Sequence, residues 1–135
     1  NRKTIGKALE LALKDANISP DKIGYINAHG TATLQGDIAE TWATEQVFKR
    51  QVPISSTKSY TGHTLGACGA IEGILSVEMM NRGWFHPTLD LKDVDLECGK
   101  LDYIKDSGRE INTNYVMSNN FAFGGINTSL IFKKL

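Results

Sequence analysis

The chain has 135 residues, of which 41% are hydrophobic and 22% charged, and its fifteen basic and fifteen acidic groups cancel. That balance gives no electrostatic case for nucleic acid or a membrane surface as a partner, and the length suits a single domain with a core of its own. No apolar run approaches the roughly 18 residues of a membrane span, Asn1-Arg2-Lys3-Thr4 opens straight into helical spacing, and Cys68 and Cys98 stand in unlike contexts, so the expectation is a soluble, cytoplasmic protein with reduced thiols.

The chain alternates helix and strand. Ile5, Ala8, Leu9, Ala12, Leu13 and Ala16 recur at helical spacing, with Thr4 as the N-cap and Ser19-Pro20 as the stop. Residues 23–28 are short, apolar and β-rich, and this strand delivers His29-Gly30-Thr31 to its C-terminal end. Asp37-Ile38-Ala39-Glu40 has the spacing of a capping box, with Asp37 in the cap position of a helix running to about Arg50; capping explains both carboxylates. Residues 52–56 form a second strand.

The stretch from Lys58 to Gly73 follows. Gly66, Gly69 and Gly73 fall at i, i+3 and i+7, leaving one helix face without side chains, against which another backbone can lie. Each interior glycine costs about 0.8–1 kcal/mol relative to alanine, so tertiary contact must offset the loss. Between Leu65 and Met80 the only charges are Glu72 and Glu78 among Ile71, Ile74, Leu75, Val77 and Met79, so the helix reads as largely buried. Glu72 therefore needs a partner, either Lys58 or an imidazole N–H. Asn81-Arg82-Gly83 ends the helix.

From Trp84 to Asn114 the periodicity fades, and Pro87, Asp90, Asp93, Asp95, Gly99 and Gly108 predict a long ordered loop with room for one short strand. Residues 115–118 and 128–132 are strands joined by a glycine-rich, aromatic connection. Three loops thus follow predicted strands and carry chemistry-capable groups: His29 to Thr31, Lys58 to His63, and Phe121 to Gly125. If the first two strands are parallel, their loops emerge at one edge of the sheet, the usual place for a site. Plainer explanations exist for each group. A histidine beside glycine serves as a loop hydrogen-bonder, Phe121 and Phe123 alternate like core residues of a hairpin, His86 before Pro87 reads as structural, and Cys68 reads as a small buried residue.

His29-Gly30-Thr31-Ala32-Thr33 with Gly36-Asp37 and Glu40, then Lys58-Ser59 with Gly62-His63 and Gly66-Ala67, then Asn120-Phe121-Ala122-Phe123-Gly124-Gly125-Ile126-Asn127, resemble in order and spacing the motif set of the β-ketoacyl-acyl-carrier-protein synthases. One departure is Ala122, where the family usually has glycine. A larger one is that the family's nucleophilic cysteine, in an Ala-Cys-Ser-type motif, belongs to an N-terminal half that these residues do not match. The resemblance implies an α/β fold, the C-terminal half of a thiolase-like domain over residues 1–135, with a mixed sheet of about four strands and helices packed on it.

It also implies a chemistry: decarboxylative Claisen condensation of an acyl-enzyme with malonyl-acyl carrier protein in fatty acid or polyketide synthesis. His29 and His63 would donate N–H groups to the enolate, Lys58 would keep both imidazoles neutral, and Glu72 would hold Lys58. The Phe123 N–H would contribute to an oxyanion hole and its ring, hinged by Gly124 and Gly125, would gate the acyl pocket. The implied partners are acyl carrier protein, malonyl and acyl thioesters, and a further copy in a homo-oligomer; no nucleic acid or membrane partner and no cofactor is implied. His29, His63, Cys68 and Cys98 lack paired metal-ligand spacing. A thiolase-type acyltransferase and a non-catalytic chain-length or structural partner of a ketosynthase remain alternatives, although a thiolase should carry a cysteine near Phe121 to Gly125 and a silent partner should have lost a histidine. The 135 residues alone are expected to be inactive and to self-associate through apolar surface.

Overall fold

The computed structural model describes residues 1–135 as three layers, with a central sheet between helices. The first helix, α1 (Arg2–Asp15), starts two residues before the expected cap: Asn1 Oδ1 accepts from the Lys3 N–H at 3.0 Å, whereas Thr4 turns its hydroxyl to the Asn1 carbonyl. It buries Ile5, Leu9 and Leu13, one stripe of its surface. Strand β1 (Tyr25–Asn27) follows, then α2 (Leu34–Phe48), β2 (Pro53–Ser55), the single turn α3 (Lys58–Thr61) and α4 (Cys68–Arg82). Gly83, at φ 68°, caps α4 as its position predicts.

The sheet has five strands rather than four. β1 pairs in parallel with β2 and with β6 (Tyr115–Phe121), β6 pairs antiparallel with β7 (Asn127–Lys133), and β4 (Asp102–Tyr103) adds a parallel strand beyond β2. Segment 84–114 is therefore more ordered than a loop: besides β4 it holds β3 (Trp84–Phe85) and β5 (Arg109–Glu110), which form a two-stranded antiparallel ribbon. Two-residue strands are defined by their partners, and no periodicity announces them.

Alternation across β1 and β6 separates two cores. Ile26 and Met117 join Leu9, Leu13, Ala43, Phe48 and Ile54 under α1 and α2, while Tyr25 and Val116 face Met79, Met80, Phe85 and Ile104 on the α4 side. Gly66 lies in a short 3-10 turn before α4 with open space around it, so the expected three-glycine face is two residues long. What approaches those two is side chain, not backbone: the Asn120 amide lies 3.7 Å from where a Gly69 Cβ would stand, and the Phe132 ring 3.2 Å from one at Gly73. No helix is long and apolar enough to cross a membrane.

Candidate active site

Because β1, β2 and β6 run parallel, the segments leaving their C-terminal ends meet at one edge of the sheet. This brings His29, Lys58, His63 and Phe121 together. The His29 and His63 rings stand edge to face at 5.5 Å between centroids, and His29 meets the Phe121 ring at 5.8 Å. Glu72 reaches the group from α4, where its Oε1 accepts from Lys58 Nζ at 2.5 Å. Both side chains are out of solvent, 4% exposed for Lys58 and 1% for Glu72, so Lys58 is the partner that Glu72 required.

The two histidines are held by different means. The β1 exit turns sharply at Gly30, whose φ is 36°; a Cβ there would lie 2.7 Å from the Ser56 side chain, so only glycine fits. The N–H groups of His29 and Gly30 both donate to Glu40, at 2.8 Å to Oε1 and 2.9 Å to Oε2. Glu40 is thus not part of a capping box. Helix α2 begins three residues before Asp37, with Thr33 at its N-cap and the Asp37 N–H bonded to the Thr33 carbonyl, which places Glu40 a turn deeper than its spacing suggests. Its carboxylate is 2% exposed, and burial pushes its pKa up to about 7 although the two N–H donors and Lys58 pull it down.

His29 is half-buried. Burial first, then the Lys58 charge and His63, lower its pKa to about 4, so the imidazole is neutral near pH 7. Its Nδ1 is buried without a partner. His63 is exposed on the loop after Gly62, which adopts φ 70°. The Leu65 N–H donates to His63 Nδ1 at 3.1 Å, an arrangement that requires Nδ1 unprotonated and leaves the neutral ring's proton on Nε2. Leu65 accepts a φ of 54° in making that contact.

Phe123 is not brought into contact with this group. It projects fully into solvent from the hairpin bend between β6 and β7, where Gly124 and Gly125 take φ of 82° and 83°. The hairpin-core alternation expected of Phe121 and Phe123 therefore fails, since only Phe121 turns inward. Ala122 sits in ordinary extended backbone, at φ −114° and ψ 161°, so nothing about that position demands glycine.

Around these residues lies a polar scaffold that spacing alone did not reveal. Asn27 Nδ2 donates to Thr57 Oγ1 at 2.7 Å and to Ser76 Oγ at 3.1 Å, and its Oδ1 accepts from the Thr57 N–H at 3.3 Å, tying β1 to the β2 exit and α4. Thr57 Oγ1 in turn meets His86 Nε2 at 2.9 Å while the Pro87 carbonyl accepts from Nδ1 at 2.8 Å, so His86 is a structural histidine, as its place before Pro87 suggested. Asn120 Nδ2 donates to Glu72 Oε2 at 3.0 Å, and Cys68 Sγ donates to Asn120 Oδ1 at 2.9 Å. An asparagine inside an apolar strand was the available signal for Asn27, because a buried amide must find partners. A cleft of about 690 Å³ opens beside Lys58 and His63, bordered also by Gly30, Ser59 and Leu89.

This edge can hold an oxyanion. It offers neutral ring N–H groups next to a buried cation whose charge is balanced from the far side, and it contains no nucleophile placed against them.

Comparison with known proteins is consistent along the whole chain. Residues 1–92 match the family described as β-ketoacyl synthase, C-terminal domain. A 3-oxoacyl-[acyl-carrier-protein] synthase 2 from Vibrio harveyi is 42% identical over 132 residues, covering 95% of this chain and 32% of that protein. A crystal structure of a β-ketoacyl synthase from Burkholderia phymatum superposes with a TM-score of 0.98 at 56% identity, over 100% of this chain and 33% of that one. A type II polyketide ketosynthase solved with its acyl-carrier protein and bound to the hexaketide gives 0.93 at 33% identity, over 100% and 34%. The chain spans about a third of the length of the relatives it matches.

Proposed function

Since the chain belongs to the β-ketoacyl synthase family through its C-terminal domain, we propose that it supplies the decarboxylation half of a condensing active site in fatty acid or polyketide synthesis. The observation that carries this reading is the pair of imidazoles 5.5 Å apart at the exits of neighbouring parallel strands, His29 with its pKa lowered to about 4 and His63 with its Nδ1 accepting from backbone.

In this reading an acyl group is held as a thioester on a cysteine outside these 135 residues. Malonyl-acyl carrier protein loses CO2, and the electron pair of the broken C–C bond moves into an enolate whose oxygen receives hydrogen bonds from His29 and His63. The α-carbon then attacks the acyl carbonyl, the new C–C bond forms, and the cysteine leaves as thiolate. Neutral donors stabilise the enolate without protonating it, and the Lys58 charge penalises imidazolium formation. Glu72 balances Lys58, so the site carries no unpaired buried ion. The Phe123 N–H forms part of the oxyanion hole for the acyl carbonyl, and its exposed ring, beside Gly124 and Gly125, gates the acyl pocket.

Acyl carrier protein and malonyl and acyl thioesters are the partners of this activity, and residues 1–135 form its C-terminal domain without the nucleophile. Exposed Leu65, Phe123, Ile126 and Leu130 support a surface covered by further polypeptide, in a homo-oligomer of the intact enzyme. The free thiols of Cys68 and Cys98 suit the cytoplasm.

The test separates two half-reactions in the protein that carries this chain together with its nucleophile. His29→Ala or His63→Ala should abolish CO2 release from malonyl thioester, by about 100-fold or more, while single-turnover acylation of the cysteine survives in part. Decarboxylation at the parental rate in either variant overturns the assignment.

A further inference from the structure

Asn120 occupies the next-to-last position of β6, opposite Thr128, whose Oγ1 donates to the Asn120 carbonyl at 3.1 Å. Its side chain reaches α4, where Gly69 leaves room for the amide along the first turn. Chemistry fixes the amide's orientation. A carboxylate that already binds the Lys58 ammonium is acceptor only, so the group facing Glu72 Oε2 must be the NH2. That leaves Oδ1 toward Cys68, and at 2.9 Å the thiol must donate to it. Cys68 is buried, so no water competes for that place.

The two oxygens of Glu72 are thereby held by different elements, Oε1 by Lys58 at the β2 exit and Oε2 by Asn120 on β6. A carboxylate gripped on one side can still rotate about its terminal torsion, which is soft, whereas one gripped on both sides is a fixed point. We infer that Asn120, oriented by the Cys68 thiol, is a positioning residue that fixes Glu72 and through it the Lys58 ammonium, tying the third strand exit to the other two. The inference rests on the condensing reading only for what a fixed ammonium does to the reaction; that it is fixed follows from the contacts.

The titratable groups facing position 120 are Glu72 and Cys68 on α4 and His29 at the β1 exit, with Lys58 behind Glu72. Taking each rate as a ratio to the parent at the same pH cancels the shared His29 titration, which allows a test that a merely structural role would not pass. In the protein carrying this chain and its nucleophile, Asn120→Ala should slow decarboxylation about tenfold at every pH. Asn120→Asp should be worse at neutral pH, about 100-fold, because two carboxylates then face each other. As the pH falls the new carboxyl takes up a proton and donates to Oε2 as the amide did, so the ratio to the parent should recover. Cys68→Ser keeps a donor and should retain the parental rate within about twofold, whereas Cys68→Ala should not.

A second measurement reads the anchor without the reaction. The Lys58 ¹⁵Nζ ammonium resonance should be visible in the parent through slow exchange and lost in Asn120→Ala. An unchanged resonance in Asn120→Ala, or an Asn120→Asp ratio that stays flat with pH, overturns the inference. If Asn120→Ala frees the ammonium while His29→Ala and His63→Ala leave CO2 release intact, the anchor stands and the condensing assignment falls.

Discussion

The floor and the rim of the site are built by different rules. The floor is cross-braced: Glu40 holds two consecutive N–H groups at the β1 exit, Glu72 holds Lys58 and Asn120, and all of these carboxylate oxygens are away from water. The rim, from Gly62 to Gly66 and from Ala122 to Ile126, is exposed, glycine-rich and left-handed at several positions, with one hydrogen bond holding His63. The carboxylates of the floor are buried and held on both oxygens, while the groups that admit and release an acyl chain under the proposed function are left in solvent. The two histidines belong one to each regime, so under the proposed function the site would combine a preorganised donor, His29, with one held by a single hydrogen bond, His63.

Breaking the floor at its most buried ion pair should give the largest effect. Glu72→Ala leaves the Lys58 ammonium buried without its counter-charge, and unfolding free energy should fall by about 3–5 kcal/mol, with Glu72→Gln milder. Chemical denaturation reads this directly; a parental midpoint in Glu72→Ala would mean that the pair contributes nothing to the fold.

Glu40 should matter less and in a pH-dependent way. Glu40→Ala orphans the His29 and Gly30 N–H groups and should cost about 1–3 kcal/mol. Burial raises the Glu40 pKa from 4.5 to about 7, so its contribution to stability is full at low pH and is lost as pH rises through that window. His29 runs the other way: its pKa falls from 6.5 to about 4, so its contribution is present above 6.5 and is lost as pH falls toward 4. Between pH 4.5 and 6.5 the two slopes oppose each other. Glu40→Gln should uncover the His29 slope, with stability rising with pH across that interval more steeply than in the parent. Identical slopes in parent and variant would show that Glu40 is ionised throughout.

At the rim, Gly62→Ala meets no neighbour within 4 Å and only the strain of its φ of 70°, so the loss should stay near 1 kcal/mol. Gly30→Ala at the floor adds collision with Ser56 and should cost clearly more, with thermal melts of the two variants ranking them. Equal losses would erase the distinction between the two regions.

Much of the floor was legible from the sequence, and the reasons differ residue by residue. His29 and Lys58 follow short apolar runs that read as strands, His63 lies on the rim beyond the second of them, and Glu72 stood out as a carboxylate on an apolar helix. Glu40 was legible as polar but misassigned, because Asp37 and Glu40 imitate a capping box while the helix starts earlier; its true partners lie on another element, and local spacing carries no record of them. Asn120 and Cys68 were invisible as a pair for the same reason, being 52 residues apart. The strands between 84 and 114 are two residues each, too short for alternation to register. Phe123 alternates with Phe121 in sequence, yet the left-handed glycines after it turn the bend outward and end the alternation.

The burial of Lys58 has a consequence for chemical labelling. Every other lysine of the chain is at least partly exposed, and amine-directed reagents such as succinimidyl esters attack the free, solvated amine. An ammonium held against a carboxylate inside the protein offers them neither access nor a lone pair. A peptide map after brief acylation should therefore show one protected lysine, and the fraction of molecules modified at that position counts those whose site has come apart, before any loss of turnover is measured.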